Sequence, residues 1–249
     1  MIPKIIHYCW LSAEPYPPEI ARCILSWKEK LPGYEIRLWN TANFDINSVL
    51  WTREAFSKNE YAFVSDYIRF YALYAHGGIY LDSDVEVLKS FDCLLEYDTF
   101  FGYEYTGVPE AAIIGAAQKQ EWLKNCLRWY ESNSFLDRKG RQKRVVAPLV
   151  LKYGYEKTVP VKLLDTGSVA KHENHIILPN DWFSPKNGFS DTVTVTQNSY
   201  TIHHFKTAWL KRIIRVRIKR RIHLLLIKLL GKITYNRLMY KVRKDTKIV

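Results

Sequence analysis

The segment from Ala62 to Asp84 constrains this chain more than any other. Phe63, Tyr67, Phe70, Tyr71 and Tyr74 recur at three- and four-residue steps, which predicts a helix over 62–76 with one apolar stripe. Gly77-Gly78 ends it, because only glycine leaves a helix through positive φ without steric cost. Ile79-Tyr80-Leu81 then reads as a short inner strand, and Asp82-Ser83-Asp84 follows at its end. In open α/β sheets ligands bind outside the carboxyl ends of the strands. In extended structure two acids at i and i+2 face the same side, about 7 Å apart, so they can share a divalent ion and the phosphates bound to it. A D-x-D alone is expected by chance about once in a chain of this length. What raises this one above a solvated turn is the helix, the Gly-Gly stop and the apolar strand leading into it.

The flanking pattern extends the α/β reading. Ile5 to Trp10 is a buried strand, Glu19 to Lys30 a helix with Ile20, Cys23, Ile24 and Trp27 on one face, and Tyr34 to Trp39 a second strand, so the order suggests a βαβ unit. A helix is expected near Gln120 to Glu131, a solvated basic loop at Arg138 to Arg144, and a late strand over Val193 to His203. The region from about Tyr105 to Ser190 is weakly patterned.

The formal charge of +12 is confined to one end. Met1 to Asp191 carries 22 Lys and Arg against 24 Asp and Glu, whereas Thr192 to Lys244 carries 14 basic residues and no acid. Lys211, Arg212, Arg215, Arg217, Lys219, Arg220 and Arg221 precede the Leu- and Ile-rich run Ile222 to Leu230. This arrangement suits an anionic membrane surface, with a helical hairpin packed on the domain as the structural alternative. Polybasic nucleic-acid binding gives no reason for the apolar run, so no nucleic-acid partner is expected. The apolar run is too short to span a bilayer. No signal peptide is read at the start, and Cys9, Cys23, Cys93 and Cys126 lack disulfide or zinc spacing, so buried thiols and a cytoplasmic setting are expected. The division expected is a catalytic domain over 1–205 and a basic, apolar, helical tail over 206–249.

The block Ser65 to Asp84, SDYIRFYALYAHGGIYLDSD, resembles the DXD sugar-binding segment of glycosyltransferase family 32, a group that includes yeast Golgi mannosyltransferases and bacterial capsule and lipopolysaccharide enzymes and is related to clostridial glucosylating toxins. Ile2 to Trp10 resembles that family's opening strand and His203 to Trp209 its closing segment. The resemblance implies a GT-A fold, a Rossmann-like mixed sheet flanked by helices, and retaining transfer of a hexose from a UDP- or GDP-sugar with Mn²⁺ or Mg²⁺. It also implies roles: Trp10 against the donor base, Asp66 on sugar hydroxyls, Arg69 on sugar or diphosphate, Asp82 on the ribose and sugar side, and Asp84 on the metal. His204, with His203 close behind, is the candidate third metal ligand; adjacent strand residues face opposite ways, so only one can reach the ion. Lys206 could neutralise the diphosphate and Trp209 could cover it. Unlike the Golgi members, this chain shows no N-terminal anchor, which suggests a bacterial enzyme at the inner membrane face, decorating a lipid-linked oligosaccharide or other glycan for surface polysaccharide. The alternatives are a metal-dependent nucleotidyl or phosphoryl transferase and a non-catalytic membrane or nucleic-acid adaptor. His7 reads as a core histidine.

Overall fold

The computed structural model describes residues 1–165, 167–187, 192–205 and 214–244, the last of these without the side chains of 214–221 and 240–244. The elements run β1 (Ile5–Cys9), α1 (Pro18–Lys30), β2 (Glu35–Trp39), α2 (Leu50–Ser57), α3 (Tyr61–His76), β3 (Gly78–Leu81), β4 (Val85–Val87), β5 (Thr99–Tyr103), β6 (Pro109–Ala116), α4 (Glu121–Glu131), α5 (Ala147–Thr158), β7 (Ala170–His172), β8 (His175–Leu178), α6 (Asn180–Phe183), β9 (Thr201–His203), α7 (Ile214–Leu230) and α8 (Lys232–Lys244). Seven strands form one mixed sheet in the order β2-β1-β3-β6-β5-β8-β7, and β4 and β9 pair separately. The βαβ reading holds, since β1 and β2 are parallel with α1 between them.

The central strand β3 lies between parallel β1 and antiparallel β6, and all four of its residues are buried. Its alternation distributes side chains to two cores. Ile79 and Leu81 join Ile20, Ile24 and Trp27 of α1 on one face, while Tyr80 joins Phe63, Tyr67 and Phe70 of α3 on the other. Helix α1 begins with Pro18, whose missing N–H costs nothing in a first turn, and places Glu19 and Lys28 at the ends the helix dipole favours. His7 is the core histidine expected. It is fully buried, donates from Nε2 to the Gly77 carbonyl at 2.8 Å and accepts from Trp39 Nε1 at Nδ1, 3.1 Å away. Burial lowers its pKa to about 4, which keeps it neutral.

Three expectations are corrected. Asp82-Ser83-Asp84 is not an extension of β3: Asp82 N–H makes a bond to Ala112 O, and Val85 N–H then closes back on Asp82 O at 3.0 Å, so the acids sit on a turn. The late strand shrinks to Thr201–His203, because Thr196, Asn198 and Ser199 bond instead to Asp181. The four cysteines are free, yet Cys93 is exposed where a buried thiol was expected. After 205 the described residues form α7 and α8, and α8 is seated on the domain: Tyr235 and Asn236 are buried, and Asn236 Nδ2 reaches Asp165.

Gly78 carries the tightest backbone approach in the centre of the sheet, with φ of +107° and an added Cβ lying 2.6 Å from the Ile5 carbonyl oxygen. Gly33 has φ of +82° but open space around it. Gly78→Ala is expected to lose about 3 kcal/mol or more of stability, from strain plus a clash with immovable backbone. Gly33→Ala, which meets strain alone, is expected to lose only about 1–2 kcal/mol. Urea unfolding of the two variants against the parent checks the contrast.

Candidate functional site

The floor of the site is built where β3 ends. Arg69, on the face of α3 that packs on the sheet, is held by three acceptors: Ala111 O at 2.6 Å, Asp66 Oδ1 at 2.7 Å and Asp82 Oδ1 at 3.3 Å. Asp66 lies one turn earlier on the same helix, as the i, i+3 spacing required. Tyr80 points to the same side of the sheet as Asp82. Its hydroxyl donates to Asp82 Oδ1 at 3.1 Å, and its ring lies 4.7 Å from the Arg69 guanidinium carbon. The other Asp66 oxygen accepts from Ala147 N–H at the start of α5. Burial pushes the Asp66 carboxyl up to about 6 despite Arg69. Burial also raises Asp82, Arg69 opposing it and the Asp84 charge adding to it.

The short β4–β9 pair completes the site. Its register sets His203 opposite Val85, next to Asp84. His203 Nε2 lies 3.5 Å from Asp84 Oδ1, and one ligand atom from each of Asp82, Asp84 and His203 can be chosen so that all lie within 4.8 Å of one another. His204 turns the other way and bonds Glu86 Oε2 at 2.9 Å. The structure thus brings His203, rather than the expected His204, to the two acids, since strand alternation lets only one of the pair face them. Two carboxylates and an imidazole are donors suited to a borderline divalent cation such as Mn²⁺. Lys206 and Trp209 lie outside the described residues.

Sequence reasoning missed Glu110. It is almost fully buried at the start of β6, accepts from Ala112 N–H at 2.9 Å and from Ser184 Oγ, and faces His203 Nδ1 at 3.2 Å. Burial would raise its pKa, but His203 outweighs this and holds the carboxyl below its usual value. In return Glu110 and Asp84 raise His203 well above an ordinary histidine, against burial, which lowers it. Nδ1–H donates to Glu110, which fixes the ring so that Nε2 is aimed at Asp84. Glu110 lies outside the D-x-D block, in the weakly patterned middle of the chain, so spacing carried no signal for it.

These groups line one cleft of about 1150 Å³. Trp10, Leu11, Pro17 and Ile20 line it as well, as do Tyr61, Ser65, Ala147 and Pro148. Trp10, expected near a donor base, does lie on this wall, with its Nε1 donating to Glu14 O and its ring edge-on to Tyr16.

Residues 17–101 match the family model described as "Glycosyltransferase sugar-binding region containing DXD motif". Over those residues the chain is similar to the DXD-containing sugar-binding region of glycosyltransferases. It is 34% identical over 100 residues to inositol phosphoceramide mannosyltransferase 3 of Schizosaccharomyces pombe (strain 972 / ATCC 24843). That match spans 39% of this chain and only 28% of the yeast protein. The fold is similar to that of the PaToxG glycosyltransferase, with a TM-score of 0.52 and 17% identity, covering 64% of this chain and 70% of the other. The GT-A expectation thus agrees with both the architecture and a glycosyltransferase neighbour.

Glu110→Gln keeps one acceptor oxygen, for Ala112 N–H, sets an amide NH2 toward Ser184 and His203, and removes the charge facing His203. It is expected to weaken divalent-cation binding about 10-fold or more, measured by calorimetric titration with Mn²⁺. In a His203→Ala background the same substitution should cost little further affinity, because its effect passes through the imidazole.

Proposed function

We propose that this protein is a retaining hexosyltransferase that takes its sugar from a UDP- or GDP-hexose with Mn²⁺, or Mg²⁺, at the Asp82, Asp84, His203 cluster. The observation that carries this reading is the convergence of those three ligating side chains and the Asp66–Arg69 pair on one cleft, within a chain that has a DXD sugar-binding region. The cation offsets the charge that grows on the diphosphate as the glycosidic bond breaks. Asp84 and Asp82 hold the cation, and Glu110 orients His203 toward it. Trp10, which lines the cleft, stacks on the base. Asp66, whose second oxygen is anchored on α5, positions sugar hydroxyls, and Arg69 fixes Asp66 and Asp82 relative to each other so that sugar and diphosphate are aligned.

The acceptor we infer is a glycan, in particular a lipid-linked oligosaccharide, used in building surface polysaccharide at the cytoplasmic face of a membrane. Two observations favour a membrane-borne acceptor. One is the acid-free basic stretch from Thr192 to Lys244; the other is a relative whose name places a mannosyl group on a ceramide lipid. Among the described residues no helix is long and apolar enough to cross a membrane, so contact with it would be peripheral.

Incubation with UDP- and GDP-hexoses and Mn²⁺, followed by chromatography of the nucleotide products, tests the reading. Released nucleoside diphosphate is expected, and pyrophosphate would instead mark nucleotidyl transfer. Asp84→Ala should lower turnover by at least about 100-fold with little change in the melting temperature. Near-normal turnover of that variant in saturating Mn²⁺ would remove Asp84 from the site.

A further inference from the structure

Helices α7 and α8 show two unlike sides. On the inner side Ile227, Tyr235 and Asn236 are buried, Tyr235 Oη meets His223 Nδ1 at 2.7 Å, and Asn236 Nδ2 reaches Asp165 Oδ2 at 3.3 Å. Lys232 bonds Asn180, lies 3.7 Å from Asp165 and sits over the Tyr105 ring. These contacts seat the helical pair on the catalytic domain. On the side of α7 opposite Ile227 the residues Ile222, Leu225 and Leu229 are exposed, Leu225 by 57% and Leu229 by 70%, and Leu230, Ile233 and Leu238 are exposed beside the link between the helices and along α8. Ile222, Leu225 and Leu229 stand three and four residues apart, so they form one stripe of α7. Lys228 and Arg237 are exposed around them.

We propose that this outer face of α7 and α8 is the surface on which the protein lies against an anionic lipid bilayer; the proposal rests on the reading of a membrane-borne acceptor given above. Among the described residues nothing covers this apolar stripe, and the helix pair is already anchored from behind. Sequence charge selects the occupant, because the stretch from Thr192 to Lys244 holds 14 basic residues and no acid. A second copy of this chain would set two such surfaces against each other with no compensating carboxylates. An anionic bilayer matches both features, with acyl chains for Leu and Ile and head-group phosphates for Lys and Arg. The turn that α8 rests on, at Tyr105 and Gly107, also carries Glu104, which lines the cleft. The helical pair and the cleft thus share this turn.

Co-sedimentation of the full chain with vesicles, in the absence of donor, tests the surface. Vesicles containing phosphatidylglycerol are expected to bind it, phosphatidylcholine vesicles only weakly, and binding should fall as salt rises. The triple variant Leu225→Ser, Leu229→Ser, Ile233→Ser should lose about 10-fold or more of the partitioning while its circular dichroism stays unchanged, since all three side chains are exposed. Equal partitioning of variant and parent would overturn the proposal. So would a lipid-free dimer in sedimentation velocity that the triple variant dissolves, which would make the face a self-interface. Donor hydrolysis in lipid-free solution reports on the glycosyltransferase reading separately, so either reading can fail alone.

Discussion

The Arg69 guanidinium is the interaction on which the floor of the cleft depends. It stands between Asp66 and Asp82, and without it two carboxylates in a poorly solvated space would face each other with no counter-charge. A buried pair broken from one side costs about 3–5 kcal/mol, because the remaining charge has no solvent to turn to. The third contact, to Ala111 O, ties the same guanidinium to the β6 backbone. Helix α3, the end of β3 and the start of β6 are thus fixed to one planar group whose several donors diverge. A lysine ammonium, a point charge on a flexible stem, lacks that geometry.

A second charged chain adjoins this floor. Glu110, His203 and Asp84 alternate in sign from the interior outward, and Ser184 and the Ala112 amide complete the acceptor capacity of Glu110. Such a chain is stable without a ligand because each member has a partner. It still leaves Asp82 and Asp84 accessible on the cleft side, with Nε2 of His203 between the wall and the opening. A divalent cation entering there would meet donors already oriented, so little reorganisation is left for the moment of binding. The outer face of α7 and α8 extends the same logic to a larger scale, since polar anchors behind it hold an apolar surface outward.

The central part of this fold was legible in the sequence because it is local. The 3.6-residue stripe from Phe63 to Tyr74, the Gly77-Gly78 stop and the Ile79-Tyr80-Leu81 run each act over a few residues, and the structure places helix, stop and strand accordingly. The i, i+3 spacing likewise determined that Asp66 and Arg69 share a face. The family 32 resemblance rested on the same contiguous block. Local pattern failed where side chains competed with the backbone, as at Thr196 to Ser199, whose bonds to Asp181 displace the expected strand.

Tertiary structure alone decided which histidine meets the acids. Alternation states that His203 and His204 face opposite ways but not which way is inward. That choice is made by the pairing of Val85 with His203, two residues separated by more than a hundred positions. Glu110 was invisible for the same reason, because its partners come from β9 and from Ser184, and its burial depends on both. The sequence by itself determined a strand ending in two acids beneath an Asp–Arg helix face, since those relations are set within one or two turns of chain. The histidine beside the acids, the carboxylate behind it and the seating of α8 depend on contacts between distant segments, which no local periodicity encodes.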